Sequence, residues 1–176
     1  MNDLKENRGT ILWSADREAY INTQITIELV NFMTYEALGC YFRDGKIGYN
    51  NMSTFLRGEA DEELKHARQF MDYQTMRGGT VVLDDIKAKD ISSVRESSSP
   101  CLSAYRLALQ LEKDTYANML TIHEQSGDDP HLQDFLEECM GEQLHGQKDL
   151  NDKIRVLETA TNNMAEYLHE INLSSS

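Results

Sequence analysis

Arg77-Gly78-Gly79-Thr80-Val81-Val82-Leu83-Asp84-Asp85-Ile86 opens a stretch that runs to Ser99-Pro100 without a helical period. Two long amphipathic segments precede it and two follow, so its length decides how they connect. Helices of the length predicted on either side extend ~40 Å at 1.5 Å per residue. About twenty extended residues reach ~60 Å. This link can therefore cross a whole bundle and set the third helix parallel to the second. Its Val81, Val82, Leu83 and Ile86 predict that it packs on the surface. The first-to-second and third-to-fourth links are short, and short links join antiparallel neighbours. The expected fold is all-α, a four-helix bundle with one long crossover.

Cap residues set the helix limits. The first helix is predicted from Ser14, as N-cap, to Phe42, before the stop at Asp44-Gly45. The second runs from about Asn51 to Arg77 and stops at Gly78-Gly79. Ser99-Pro100 and Asp129-Pro130 each place a proline at a first helical position. They start a third helix that ends before Ser126-Gly127, and a fourth that runs to about Leu157. A short fifth helix covers about Met164 to Ile171, before the tail at 174–176.

The chain has 176 residues, with 30 Asp+Glu against 17 Lys+Arg and a formal charge of −13. Its length fits one domain, residues 1–176, with an extended segment over about 1–13. The acidity excludes nucleic acid as a main partner, because phosphate contacts need Lys and Arg. It favours cations. No apolar run approaches a membrane span, and the N-terminal residues lack the apolar stretch of a signal peptide. Cys40, Cys101 and Cys139 have no zinc or disulfide spacing, which reads as reduced thiols in a cytoplasmic setting.

Polar groups interrupt the apolar stripes. In helix one, Ile21, Ile25, Glu28, Phe32, Tyr35, Gly39 and Phe42 alternate steps of four and three. Helix three gives Leu102, Tyr105, Leu109, Glu112, Tyr116, Met119 and His123. Helix four gives Leu132, Leu136, Cys139, Gln143, Gly146, Leu150 and Leu157. In helix two, Glu63 lies seven residues from both Leu56 and Phe70, and His66 follows at i+3. Each interruption falls near its helix's midpoint, so Glu28, Glu63, His66, Glu112 and Gln143 are expected to converge. Bare buried carboxylates cost several kcal/mol each unless paired or metal-bound. No Lys or Arg lies on these stripes to pair with them. Oxygen-rich ligands with one imidazole suit iron or manganese. Glu-x-x-His with glutamates from facing helices is the di-iron carboxylate pattern. For any one of these residues, a snorkelling or protonated glutamate is the competing reading.

Ile27-Glu28-Leu29, Glu62-Glu63-Leu64-Lys65-His66-Ala67, Arg77-Gly78-Gly79, Leu111-Glu112-Lys113, Asp129-Pro130-His131-Leu132 and Glu142-Gln143 resemble eukaryotic ferritin of the heavy, ferroxidase-active type. Ala165-Glu166-Tyr167-Leu168 is similar to that family's short fifth helix. The resemblance spans about Ser14 to Leu173 and implies a ferritin-like four-helix bundle with a short fifth helix. It implies that Glu28, Glu63 and His66 hold one iron, and that Glu63 bridges to a second held by Glu112, with Glu62 beside it. It gives Gln143 a role in positioning water or dioxygen, and Tyr35 a hydrogen bond within the site. The implied reaction is oxidation of two Fe(II) by dioxygen to Fe(III), which moves inward and mineralises. The implied assembly is a hollow homo-oligomeric shell of twenty-four chains, in some cases mixed with other ferritin chains. Asp134, Glu137 and His123 match the acids and histidine of its threefold pores. Met164, Leu168 and Asn172 match residues that face its fourfold axis.

Three features depart from the pattern. Lys65 and Arg68 stand where the family places glutamates that help nucleate mineral. The segment from Asp134 to Gln143 is one residue short, so pore and site residues conflict in helical register. A second Glu-x-x-His, at Glu142 and His145, is similar to the bacterioferritin site. These two lie one step off the apolar stripe, beside Glu138, Asp149 and Asp152, which reads as a solvated or cavity-side face. Glu142 is also a candidate for an accessory iron site. A bacterioferritin-like or other di-iron oxidase and a metal-free structural bundle are the alternatives. A rubredoxin-type Cys-x-x-Cys pair is missing.

Overall fold

A computed structural model describes residues 13–159 and 163–173. The expected extended segment falls mostly outside the described residues, and the Ser174–Ser176 tail does so entirely. Four long helices appear where caps and periodicity place them: α1 (Ala15–Arg43), α2 (Asn50–Met76), α4 (Pro100–Glu124) and α5 (Pro130–Thr159). A single turn, α3 (Ser92–Arg95), lies within the crossover. The short C-terminal helix is α6 (Asn163–Leu173). Among the described residues no helix is long and apolar enough to cross a membrane.

The caps explain most limits. Ser14 Oγ accepts from Arg17 N at 3.3 Å and starts α1. Gly78, at φ +81°, takes the left-handed conformation that closes α2. Gly79 is tightly enclosed, since a Cβ there would lie 2.5 Å from Trp13 Nε1. Asp129 Oδ1 accepts from Leu132 N at 3.2 Å at the start of α5. Ser99 departs from expectation, because its side chain makes no cap bond. Glu166 of α6 supplies that acceptor instead, 3.2 Å from Leu102 N. Glu170 does the same for α2, accepting from Asn51 N at 2.7 Å and Met52 N at 2.8 Å. Two buried glutamates of α6 thus sit on the positive ends of two helices.

The crossover runs along α1. Thr80 N donates to Glu18 Oε2, Val82 N to Asn22 Oδ1 and Lys89 N to Thr34 Oγ1. It therefore returns from the C-terminal end of α2 to its N-terminal end, and α4 runs parallel to α2. Ile91 and Val94 are buried and anchor it. As expected the link packs on the bundle surface, with Val81 against the core and Ile86 half-buried, but Val82 and Leu83 are exposed. Backbone bonds to the polar side chains of α1 hold this strand in their place.

The core divides into two apolar clusters. One, toward α6, holds Leu38, Phe42, Met52, Leu56, Tyr105 and Leu150, with Tyr35 at its edge. The other holds Ile21, Ile25, Phe70, Met119, Leu132 and Leu136. Between them lies a polar layer.

Candidate metal centre

Four helices fill that layer. Glu28 and Tyr35 come from α1, Glu63 and His66 from α2, Glu112 from α4 and Gln143 from α5. Glu28, Glu63, Glu112 and Gln143 are each at most 5% exposed, and Tyr35 is fully buried. Ligand atoms of Glu28, Glu63 and His66 lie within 4.8 Å of one another. Tyr35 Oη donates to Glu112 Oε1 at 2.7 Å, which ties the α4 carboxylate to α1.

A polar frame holds the carboxylates. Gln24 Nε2 donates to Glu28 Oε1 at 2.6 Å, and Asn118 Nδ2 fixes Gln24 through its Oε1 at 2.7 Å. Asn31 Nδ2 reaches Glu63 Oε2 at 3.3 Å and Thr115 Oγ1 at 2.9 Å. Sequence periodicity missed this frame. It put Phe32 and Tyr116 on the stripes, but both are half-buried, while the neighbouring Asn31 and Thr115 are buried. The available signal was Asn31 at i+3 from Glu28, a polar residue on the same helix face.

With the Glu28 and Glu63 carboxyls ionised, the buried Glu28 Oε2 and Gln143 Oε1 have no hydrogen-bond partner; only a proton shared with Glu63 adds a further bond to Glu28. Glu28 and Gln143 line a small, partly open cavity with His66, Phe70, Met119, Cys139 and Glu142. Buried oxygens without donors are expensive for a protein that binds nothing there. Two such oxygens on residues that line one cavity make it a candidate cation site. A second, open cavity of about 250 Å³ adjoins it, lined by Glu59, Glu62, Glu63, Lys65, His66, Glu112 and Glu142, with Gln143 and Gly146. It gives the buried cluster a mouth. Glu59 was not expected there; it is half-buried at the rim, and burial raises its pKa.

The electrostatics match the burial. Desolvation raises Glu28 to about 7, helped by the charge of Glu112 and opposed by hydrogen bonds from Glu63 and Gln24. It raises Glu112 to about 8, helped by the charge of Glu63 and opposed by the Tyr35 hydrogen bond. Glu63 stands well above the ordinary carboxyl value, chiefly from burial and then from the charge of Glu28. Burial also lowers His66, against the pull of Glu142 and Glu62, so its imidazole favours the neutral, ligating form. A cation would reverse these shifts by stabilising the ionised carboxylates.

Other expected residues lie apart. Glu62 is exposed at the mouth, where Lys65 Nζ binds its Oε2 at 2.9 Å. It lines the same open cavity as Glu63 and Glu112, with its carboxylate turned to the Lys65 ammonium. Glu142 and His145 are both exposed, as read for a solvated face. Glu142 Oε2 nevertheless reaches back to His66 Nε2 at 3.4 Å. His123 Nε2 lies 3.0 Å from Glu137 Oε1, away from the centre, and Asp134 is exposed. Helix α5 is continuous, and one helix carries both Glu137 toward His123 and Gln143 toward the centre. Cys139 is only half-buried; Met140 takes the core position expected for it.

Residues 18–160 match the model of the ferritin-like domain family. The chain is 35% identical to soma ferritin of Lymnaea stagnalis over 167 residues, covering 93% of this chain and 94% of that protein. It is 36% identical to the ferritin middle subunit of Aquarana catesbeiana over 164 residues, covering 90% and 91%.

Proposed function

This chain belongs to the ferritin family, and from that premise we propose that it is an iron-storage ferroxidase. The observation that carries the reading is the buried polar layer of three glutamates, a histidine and a glutamine from four helices, with two unpartnered oxygens on residues that line one cavity. Iron is the substrate. Glu28, Glu63 and His66 bind the first Fe(II), and Glu63 bridges toward a second held by Glu112. Two adjacent Fe(II) supply the two electrons that dioxygen accepts, and hard carboxylate oxygens favour the Fe(III) product. Tyr35 fixes Glu112 through its hydrogen bond, and Gln143 presents an amide oxygen to the cavity. For Glu62 to assist the second iron it must leave Lys65 and turn inward.

Storage requires a compartment. We read the chain as a subunit of a twenty-four-chain shell, and α6 supports this. Its Met164, Tyr167, Leu168 and Ile171 are exposed on the isolated subunit, and apolar surface of this kind marks a protein contact. Asp134, Glu137 and His123 are the proposed iron-entry residues, through the long-range pull of an acidic surface on cations.

The test is aerobic Fe(II) addition, followed by ferric absorbance and particle size. The wild type is expected to form ferric product inside a large particle. Glu63→Ala/His66→Ala is expected to abolish fast oxidation and keep the particle. Unchanged fast oxidation in that variant would overturn the site assignment.

A further inference from the structure

We propose that Glu142 is a positioning residue that holds the His66 imidazole in its ligating orientation, in place of serving as a ligand itself. The inference rests on the di-iron reading above and deepens it. His66 projects from α2 and Glu142 from α5, so their contact crosses the bundle. His66 Nε2 faces Glu142 Oε2 at 3.4 Å. The same imidazole contributes a nitrogen to the group with Glu28 and Glu63. An imidazole has two nitrogens on opposite edges. With Nε2 turned to a carboxylate, Nδ1 is the one free to face the buried acids. A neutral imidazole that donates Nε2–H outward must carry its lone pair on Nδ1, directed inward.

The surroundings favour this role over direct ligation. The Glu142 side chain is 56% exposed, whereas that of His66 is 17% exposed. Glu142 lines both the small inner cavity and the wider mouth, so it stands at their boundary. Its carboxylate also acts electrostatically on Lys65, an ammonium that would oppose a second cation at that spot. Histidine ligands commonly donate their second N–H to a carboxylate, and removing that partner costs about ten- to a hundredfold in metal affinity. Gln143, the next residue, is buried in the centre. One turn of α5 thus supplies both a centre-facing amide and a rim carboxylate.

The experiment is anaerobic titration of the assembled full chain with Co(II), read by its visible absorption and binding affinity. Wild type, Glu142→Gln, Glu142→Ala, His66→Ala and the double variant His66→Ala/Glu142→Ala are compared. Both Glu142 variants are expected to lose about tenfold in affinity for the first Co(II), with a changed imidazole-dependent spectrum. The double variant is expected to bind no worse than His66→Ala alone, because Glu142 acts through the ring. If loss of Glu142 weakens binding equally with and without His66, Glu142 is an independent ligand and the proposal fails. Unchanged affinity in Glu142→Gln and Glu142→Ala also overturns it. If His66→Ala binds Co(II) like the wild type, the di-metal reading itself fails, a result distinct from the other two.

Discussion

Metal binding at this centre should expel protons, and the number follows from the burial of its carboxyls. With Glu28 at about 7 and Glu112 at about 8, the metal-free site at pH 7 holds about half a proton on the first and about nine-tenths on the second. Burial, and then the charge of Glu28, raise Glu63 well above the ordinary carboxyl value as well. Filling the site with Co(II) at pH 7 should therefore release about 1.4 protons per chain from Glu28 and Glu112. At pH 8.5 Glu112 retains about a quarter of a proton and Glu28 almost none, so the release should fall by about one. The assay is anaerobic Co(II) addition in weakly buffered solution with a pH indicator. Glu112→Gln should remove about nine-tenths of a proton at pH 7. The same shifts act on stability. The folded values are raised, so the stabilisation is present below the ordinary carboxyl value and lost as pH rises through about 7 and about 8. Against an unfolded value of 4.5, this amounts to about 3 kcal/mol for Glu28 and about 5 kcal/mol for Glu112. Metal-free protein should lose thermal stability from pH 5 to pH 8, and Co(II)-loaded protein should not. Proton release near zero at pH 7, with no pH dependence, would refute the claim that burial keeps these carboxyls neutral.

Two further perturbations probe the frame around the site. Arg77 is buried and holds Asp129 through two bonds of 2.6 and 3.3 Å, and also Tyr73 Oη at 2.7 Å. Arg77→Ala strands a buried carboxylate and should cost about 3–5 kcal/mol, lowering the thermal midpoint by more than about 6 °C; a fall under about 2 °C would contradict the pairing. Glu170→Ala removes the acceptor for Asn51 N and Met52 N and should cost about 1–2 kcal/mol, read as faster hydrogen exchange in α6 and the first turn of α2. Exchange confined to neither segment would show that α6 is held by other contacts.

The sequence disclosed what depends on local chemistry. Ser14, Gly78 and Asp129 carry their cap function in their own side chain or backbone, so the limits of α1, α2 and α5 were legible. The crossover length alone set the topology. The central carboxylates were legible because a charge on an apolar stripe conflicts with its surroundings. What stayed hidden depends on partners far along the chain. The caps of α2 and α4 come from Glu170 and Glu166, more than sixty residues away. Asn31 was hidden differently: its i+3 spacing from Glu28 puts it on the same face, but the apolar stripe through Phe32 masked that signal. Glu62 and Lys65 are adjacent on one face, and which way a long side chain swings is not fixed by its position.

The carboxylate layer has a consequence for how the bundle is held together. It separates two apolar clusters, one including Phe42, Leu56 and Tyr105, the other Ile25, Phe70 and Leu132. Apolar burial, worth roughly 25 cal/mol per Å², is thus concentrated at the two ends. The middle contributes buried acids, which favour the fold only while protonated or bound to metal. A site built this way binds cations in competition with protons. On the proposed reading that competition is useful, because a store must release what it oxidises toward its interior. A centre with full-time carboxylate charge would bind Fe(III) hard and keep it. Here each departing ion can be replaced by protons on Glu28, Glu63 and Glu112, so the energetic gap between filled and empty states narrows as pH falls. The two flanking clusters keep the helices in place through that exchange, which is why the polar layer can lie mid-bundle without loosening its ends.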